Sequence, residues 1–177
     1  MTIHIRQEEL NDNHIVYDLI KSAFESAEHS DGDEQNLVNR LRTSESFIPE
    51  LSLVAVENDT IIGHILFTKL FIADYDTKYE SLGLAPLAVS PDHQNKGVGG
   101  KLINEGLKVA KELGYRSAIV LGSEKYYPRF GFVEAKNFEI KPPFEVPSEN
   151  FMAIELVENS LENVNGIVVY PKEFFEQ

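Results

Sequence analysis

The chain of 177 residues contains no cysteine, and this absence excludes several kinds of chemistry. It rules out a disulfide framework, a thiolate metal site and a cysteine nucleophile. It also fits a reducing compartment, so we expect a cytoplasmic location. No stretch approaches the roughly 18 consecutive apolar residues of a membrane-spanning helix. The first ten residues, MTIHIRQEEL, carry acidic side chains and no long apolar segment, which predicts that no signal peptide is present.

Basic residues are few compared with acidic ones. The chain has 16 Lys and Arg against 29 Asp and Glu, so its formal net charge is −13. A negative surface repels nucleic acid and anionic lipid over long distances, and we therefore expect neither nucleic acid nor a membrane as a partner. The histidines, at positions 4, 14, 29, 64 and 93, are not spaced as metal ligands, which predicts no metal site.

The order of the apolar patterns predicts one α/β domain with a mixed sheet. Helical spacing of apolar residues marks 13–26, 36–42 and 94–113. Two β-rich runs within 51–72 flank Asn58-Asp59, which indicates a hairpin. Further strands are predicted at 3–6, 82–89, 117–122, 132–140, 151–157 and 166–170. A strand–helix–strand unit in the middle of this order favours α/β architecture.

Gly97, Gly99 and Gly100 stand close together between an apolar strand and a helix. The first N–H groups of a helix have no acceptor within the helix and lie at the positive end of its dipole. Glycines let an anion approach these groups closely, since no Cβ intervenes. A turn with close helix packing is the alternative, but three glycines at one junction favour an anion site.

Two common nucleotide-binding motifs do not match this segment. A Walker loop requires G-x-x-x-x-G-K-[ST], but Asn95 stands five residues before Gly100 and Leu102 follows Lys101. A dinucleotide fingerprint requires G-x-G-x-x-G, and the third glycine would have to replace Leu102.

The pattern that does match is Gln94-x-x-Gly97-x-Gly99. It resembles the pyrophosphate loop of the GNAT superfamily of N-acetyltransferases, Q/R-x-x-G-x-G/A. Downstream, YYPRFGF is similar to that family's Y-x-x-x-G-F motif, with Tyr127 four residues before Gly131. The two motifs occur in the family's order, and the LAPLAV run before the loop resembles a bacterial branch of predicted acetyltransferases.

The resemblance covers about residues 3–157 and implies a fold. We expect an α/β domain with a GNAT-like mixed central sheet, helices on both faces, and a splay between two parallel strands. The strands that match are 84–89 and 117–122. A single N-acetyltransferase domain would span 1–177, with a C-terminal extension at 158–177 that covers either its own sheet or a neighbour. A homodimer stays open.

The resemblance also implies acetyl-CoA as the acyl donor and no metal. The main chain of the loop would hold the pyrophosphate, and the splayed strand would hold the pantetheine arm. The residues that would bind the cofactor are Leu87, Ala88, Val89, Gln94, Asn95, Lys96, Gly97, Val98, Gly99, Gly100 and Lys101.

The implied reaction moves an acetyl group to a primary amine of a small molecule or peptide by direct attack in a ternary complex. By the motif, Tyr127 is the catalytic acid, which protonates the departing thiolate. Its alternatives are a packing or thiol-positioning role, and Tyr126 is the next candidate acid. The proton of the amine passes to water or to a base, for which the candidates are Glu28, His29, Glu34 and His64.

Two other functions stay open. One is a module of the same fold that binds acyl-CoA as a sensor without transferring the acyl group, and the other is a glycine loop that binds a nucleotide phosphate. The sequence does not identify the acceptor, although the negative charge favours cationic acceptors by electrostatic steering.

Overall fold

A computed structural model describes residues 2–27 and 30–176. None of the helices in these ranges is long and apolar enough to cross a membrane. The helices are α1 (Asn13–Phe24), α2 (Glu34–Arg42) and α3 (Val98–Glu112). The strands are β1 (Ile3–Gln7), β2 (Ser52–Glu57), β3 (Thr60–Asp74), β4 (Thr77–Val89), β5 (Ser117–Leu121), β6 (Val133–Glu134), β7 (Ile140–Lys141), β8 (Phe151–Glu155) and β9 (Gly166–Val169).

The strands of the described residues form one mixed sheet. Its main path runs β1-β2-β3-β4-β5-β8-β6, and β9 pairs with both β3 and β7. The β4–β5 and β7–β9 pairs are parallel, and the other pairs are antiparallel. The mixed sheet expected from the sequence is therefore confirmed.

Helices cover both faces of the sheet, as expected. Strand side chains alternate between the faces, so that neighbouring residues join different clusters. The cluster with α1 and α2 consists of Val16, Ile20, Val38, Leu41, Val54, Val56, Leu66 and Ala88. The cluster with α3 includes Leu53, Ala55, Ile65, Phe67, Val98, Leu102, Ile103 and Ala110.

The parallel strands β4 and β5 separate soon after they meet. They pair only at Gly83 with Ile119 and at Leu84 with Val120. Beyond this point β4 continues to Val89, while β5 ends at Leu121. The splay between two parallel strands is thus present, and it leaves one edge of the last residues of β4 without a strand partner.

The hairpin at Asn58-Asp59 is confirmed, because both residues have positive φ, 51° and 63°, as a type I′ turn requires. A second hairpin, β3–β4, turns at Tyr75-Asp76 and was not predicted. It lacks the glycine that usually marks such a turn, and Tyr75 itself takes the positive φ of 51°.

Two other expectations were wrong in detail. The third helix begins at Val98 and not at 94, because Gly97 adopts a left-handed conformation with φ of 84°. The range 132–140 is not one strand, because a 3-10 turn at Ala135–Phe138 separates β6 from β7.

The C-terminal extension covers its own sheet, since β9 pairs with Phe71–Ala73 of β3.

Candidate active site

The loop between β4 and α3 exposes main-chain donors at the start of the helix. The Gln94 side chain donates from Nε2 to the Val89 carbonyl at 3.1 Å, which ties the loop to the end of β4. The first backbone bond of α3 runs from the Lys101 N–H to the Gly97 carbonyl at 3.1 Å. The N–H groups of 98–100 therefore have no acceptor within the helix and are free for an anion.

A cavity of about 590 Å³ lies over these donors. This volume is within the roughly 300–1,000 Å³ of small-molecule sites. Its lining comes from β4, the loop, the first turn of α3 and the segment after β5. The lining residues are Leu87, Val89, His93, Gln94, Asn95, Gly97, Val98, Gly99, Gly100, Tyr126, Arg129 and Phe130.

The end of β4 presents backbone groups to the gap beside β5. The Ser90 N–H donates to the Ile62 carbonyl at 2.8 Å, so at this position the backbone points toward β3. Along a strand, successive residues direct their N–H and C=O groups to opposite edges. The backbone groups of Val89 and Leu87 therefore point away from β3 and into the gap.

Aromatic rings pack closely against two of the glycines at the start of α3. A Cβ built on Gly99 would lie 2.7 Å from the Tyr126 hydroxyl, and one on Gly100 would lie 3.3 Å from the Phe130 ring. The two rings contact each other edge to face at 5.3 Å. An aromatic wall thus rests directly on the bare backbone of the helix, so close packing accounts for these glycines, and the anion site stays a prediction.

The adjacent tyrosines occupy different places. Tyr126 lines the loop cavity beside Gly99, whereas the Tyr127 ring packs over Gly122, directly after β5. A Cβ on Gly122 would overlap that ring, so glycine is needed there. Burial raises the pKa of Tyr127, and also that of Tyr126 against the opposing effect of the Arg129 charge. Both phenols are therefore protonated at neutral pH, as a proton donor must be.

The positive and polar groups at the cavity match the prediction in part, because Gln94 and Asn95 line it and the predicted lysines do not. The Arg129 guanidinium stacks over the Tyr126 ring at 5.6 Å and lines the cavity. His93 also lines it; its Nδ1 is buried and, within 2–27 and 30–176, has no hydrogen-bond partner. Lys96 and Lys101 are exposed and lie outside the cavity wall.

The remaining predicted cofactor residues divide by the face they occupy. Leu87 and Val89 line the cavity, but Ala88 is buried on the opposite face with α1 and α2. Phe130 was not among the predicted site residues, although it stands inside the Y-x-x-x-G-F motif, which is a signal for it in the sequence.

The candidate bases do not converge on this cavity. His64 is fully buried; its Nε2 lies 2.9 Å from the Ser52 hydroxyl, and burial, with a smaller effect of the Arg42 charge, lowers its pKa to about 3. Glu34 accepts hydrogen bonds from Ser30 at the start of α2. Glu28 and His29 lie outside the described residues. In 2–27 and 30–176 no group of His, Cys, Asp and Glu is placed to hold a metal ion.

A second cavity, of about 210 Å³, lies where β4 and β5 separate. Ile119 lines it and alternates with Ala118 and Val120, which pack toward α3. This cavity is therefore on the face opposite α3, under α2 and the C-terminal segment. Its lining residues are Leu37, Gly83, Leu84, Ala85, Ile119, Leu121, Phe144, Tyr170, Phe174 and Phe175.

Known proteins share both the sequence pattern and the fold. The model of the acetyltransferase (GNAT) family matches residues 13–132. The uncharacterized N-acetyltransferase YjhQ of Escherichia coli K12 is 40% identical over 119 residues, which are 66% of this chain and 65% of YjhQ. The chain thus spans less than two thirds of YjhQ. The uncharacterized N-acetyltransferase YhbS of the same organism is 31% identical over 157 residues, 88% of this chain and 89% of YhbS.

Two crystal structures closely resemble this fold. YhbS from E. coli in complex with CoA superposes with a TM-score of 0.88 at 28% identity, covering 98% of this chain and 92% of YhbS. A GNAT family acetyltransferase from Brucella melitensis in complex with acetyl-CoA gives 0.80 at 30% identity, covering 98% of both chains. With the family model matching more than half of its length, the chain belongs to the GNAT family of acetyltransferases.

Proposed function

We propose that this acetyltransferase moves the acetyl group of acetyl-CoA to a primary amine of a small molecule or peptide, by direct attack in a ternary complex. The proposal depends on one observation: the free N–H groups at the start of α3 lie directly beside the gap between β4 and β5. Two structural relatives, YhbS and the Brucella enzyme, are described with CoA and acetyl-CoA bound.

In this proposal, backbone groups do most of the cofactor binding. The N–H groups of 98–100 hold the pyrophosphate, next to His93 and Arg129 on the cavity wall. The pantetheine arm lies in the gap and pairs its amides with the backbone of Leu87 and Val89, in the manner of an added strand. The exposed Lys96 and Lys101 attract the anion over a longer range, with screening by salt.

The same arrangement supports the chemical step. The neutral amine nitrogen forms a bond to the acetyl carbon, while the Leu87 N–H, which points into the gap on the side of the split, stabilises the developing charge on the carbonyl oxygen. The carbon–sulfur bond then breaks, and Tyr127 donates its phenolic proton to the thiolate. The excess proton on the nitrogen passes to water, and Tyr127 recovers a proton from solvent. The products are the acetylated amine and CoA.

Calorimetry with acetyl-CoA, followed by thiol release with a panel of amines, tests the proposal. We expect binding heat, a rise in melting temperature, and turnover with some of the amines. An absence of both heat and thermal stabilisation would remove the proposed cofactor. Binding without thiol release for every amine would instead favour an acyl-CoA sensor of the same fold.

A further inference from the structure

The cavity at the β4–β5 split lies where the acetyl group would emerge. Gly83, Leu84 and Ala85 line it from β4, and Ile119 and Leu121 line it from β5. These residues surround the last paired positions of the two strands, after which the gap begins. A pantetheine arm that runs along the gap from the α3 loop would therefore deliver its thioester to this place.

The cavity is small and apolar. Of its lining residues within the described ranges, none is acidic or basic, and Tyr170 alone has a polar side chain. An engineered apolar cavity of about 150 Å³ accepts one benzene molecule, so a volume of about 210 Å³ holds one aromatic ring with a few further atoms. A charged group would lose its hydration here without gaining a partner.

Aromatic rings of the C-terminal half form the outer wall. Phe144 stacks on Tyr170 at 5.9 Å, and Phe174 and Phe175 contact Tyr170 at 5.0 and 6.2 Å. All four lie beyond residues 13–132, which the family model matches. The acceptor side of this chain is thus built from a segment outside the part that the family model matches.

The wall is anchored to α2. Arg40 donates from Nε to the Glu173 carbonyl at 3.1 Å, and the Ser44 hydroxyl donates to the Glu173 carboxylate at 3.2 Å. These bonds hold the segment of Phe174 and Phe175 against the helix, so the cavity exists before any ligand arrives.

We infer that the acceptor is a small primary amine whose aryl or branched-alkyl group fills this cavity, while its nitrogen reaches the acetyl group at the split. The inference rests on the proposed function and names the substrate class of the same site. It differs from the cationic acceptor that the net charge of −13 favoured. It also explains why no base is needed in the cavity, because an amine that enters an apolar site is already neutral.

Thiol release with matched amines gives the direct test. 2-Phenylethylamine and ethylamine present the same primary amine and differ by one phenyl group, whose burial corresponds to about a 10- to 100-fold gain in kcat/KM. We expect 2-phenylethylamine to exceed both ethylamine and 1,4-diaminobutane by such a factor. Equal values for the three amines would overturn the apolar acceptor but leave acetyl transfer intact. A lack of acetyl-CoA binding, or of turnover with all three, would remove the proposed function and the inference with it.

A matched pair of variants locates the binding site. Phe175→Asp places a carboxylate at the exposed edge of the cavity. Because the Phe175 side chain is 63% exposed, we expect the variant to fold. We expect kcat/KM to fall at least tenfold for 2-phenylethylamine and to rise for 1,4-diaminobutane, with unchanged acetyl-CoA affinity by calorimetry. Tyr75→Asp makes a comparable exchange at a fully exposed turn and should alter neither amine. Similar results for the two variants would contradict the assignment.

Further measurements distinguish this proposal from two alternatives, an amine that binds beside Glu124 and a cavity that holds a longer acyl chain. A depression of about 710 Å³ that shares Leu121 contains the exposed carboxylate of Glu124. If the amine bound there, Glu124→Gln would change the amine preference and Phe175→Asp would not. If the cavity held a longer acyl chain instead, butyryl-CoA would react faster than acetyl-CoA with the same amine, and Phe175→Asp would abolish that advantage. Either result overturns the inference.

Discussion

Replacing Gly99 with alanine adds one methyl group at the contact between α3 and Tyr126. The new Cβ would lie 2.7 Å from the Tyr126 hydroxyl, where ordinary contact begins at 3.4 Å, so the hydroxyl must move by about 0.7 Å. Such a shift of the cavity wall disturbs the hydrogen-bond geometry around the pyrophosphate. A hydrogen bond to a charged group contributes about 1.5–3 kcal/mol, so the loss of one weakens acetyl-CoA binding by about 10- to 150-fold.

The same substitution should have little effect on folding. Alanine is favoured over glycine in a helix by up to about 1 kcal/mol, which offsets the cost of moving the tyrosine ring. Calorimetry measures the affinity, and urea unfolding measures the stability. We expect a weaker complex and a free energy of unfolding within about 1 kcal/mol of the wild type.

Tyr126→Phe supplies the control, because it removes the hydroxyl that the new methyl group meets. We expect Gly99→Ala to have almost no further effect on affinity in a protein that already carries Tyr126→Phe. A double-mutant cycle should therefore show a coupling of at least about 1 kcal/mol. Strictly additive losses would mean that the methyl group acts without Tyr126. Wild-type affinity in Gly99→Ala would mean that the contact between Gly99 and Tyr126 does not shape the phosphate site, and it would refute this prediction.

Three further substitutions test other parts of the structure. Tyr127→Phe should lower turnover by about 100-fold or more with unchanged acetyl-CoA affinity, since it deletes the proton donor; an unchanged kcat would exclude Tyr127 as the acid. Gly106→Ala should lower the free energy of unfolding measured with urea, because its Cβ would overlap the Phe67 ring of β3. Overpacking costs about 1–3 kcal/mol, whereas the higher helix propensity of alanine contributes about 1 kcal/mol. A variant more stable than the wild type would contradict this packing. His64→Gln should flatten the pH dependence of stability, because a buried histidine whose pKa falls from 6.5 to about 3 is protonated first in the unfolded chain. The free energy of unfolding of the wild type should therefore fall by about 2 kcal/mol more than that of the variant between pH 7 and pH 5. Urea titrations of both proteins at the two pH values measure this difference, and equal losses would contradict the prediction.

Local sequence patterns predicted those helices and turns whose residues all lie close together in the chain. Helical spacing placed α1 and α2 within a few residues, and Asn58-Asp59 marked the β2–β3 turn. The range 132–140 failed because its apolar residues serve different partners: Val133 pairs with β8, and Ile140 pairs with β9. Such pairings depend on segments distant in the chain, and no local pattern reports them.

The candidate site divides in the same way. The loop at 94–101 was predictable because its donors, its glycines and its helix are neighbours in the sequence. The apolar cavity was not, since it combines Leu37, the strand residues at the split, and aromatic residues more than a hundred positions later. Only the tertiary fold brings these side chains together, and the aromatic residues of the outer wall lie beyond residues 13–132, which the family model matches.

Net charge is a poor guide to the two ligands that we propose for this chain, for one physical reason. Charges on the surface act through water and salt, where the field falls off over about 8 Å at physiological ionic strength. At the loop, the free N–H groups of α3 and the Arg129 guanidinium would act at contact distance on the proposed pyrophosphate, so a net charge of −13 does not exclude an anion there. At the split, the cavity is lined by apolar side chains, and the proposed acceptor would be selected there by the surface it buries. The total charge therefore influences how molecules approach the protein, and the contacts within each cavity decide which of them bind.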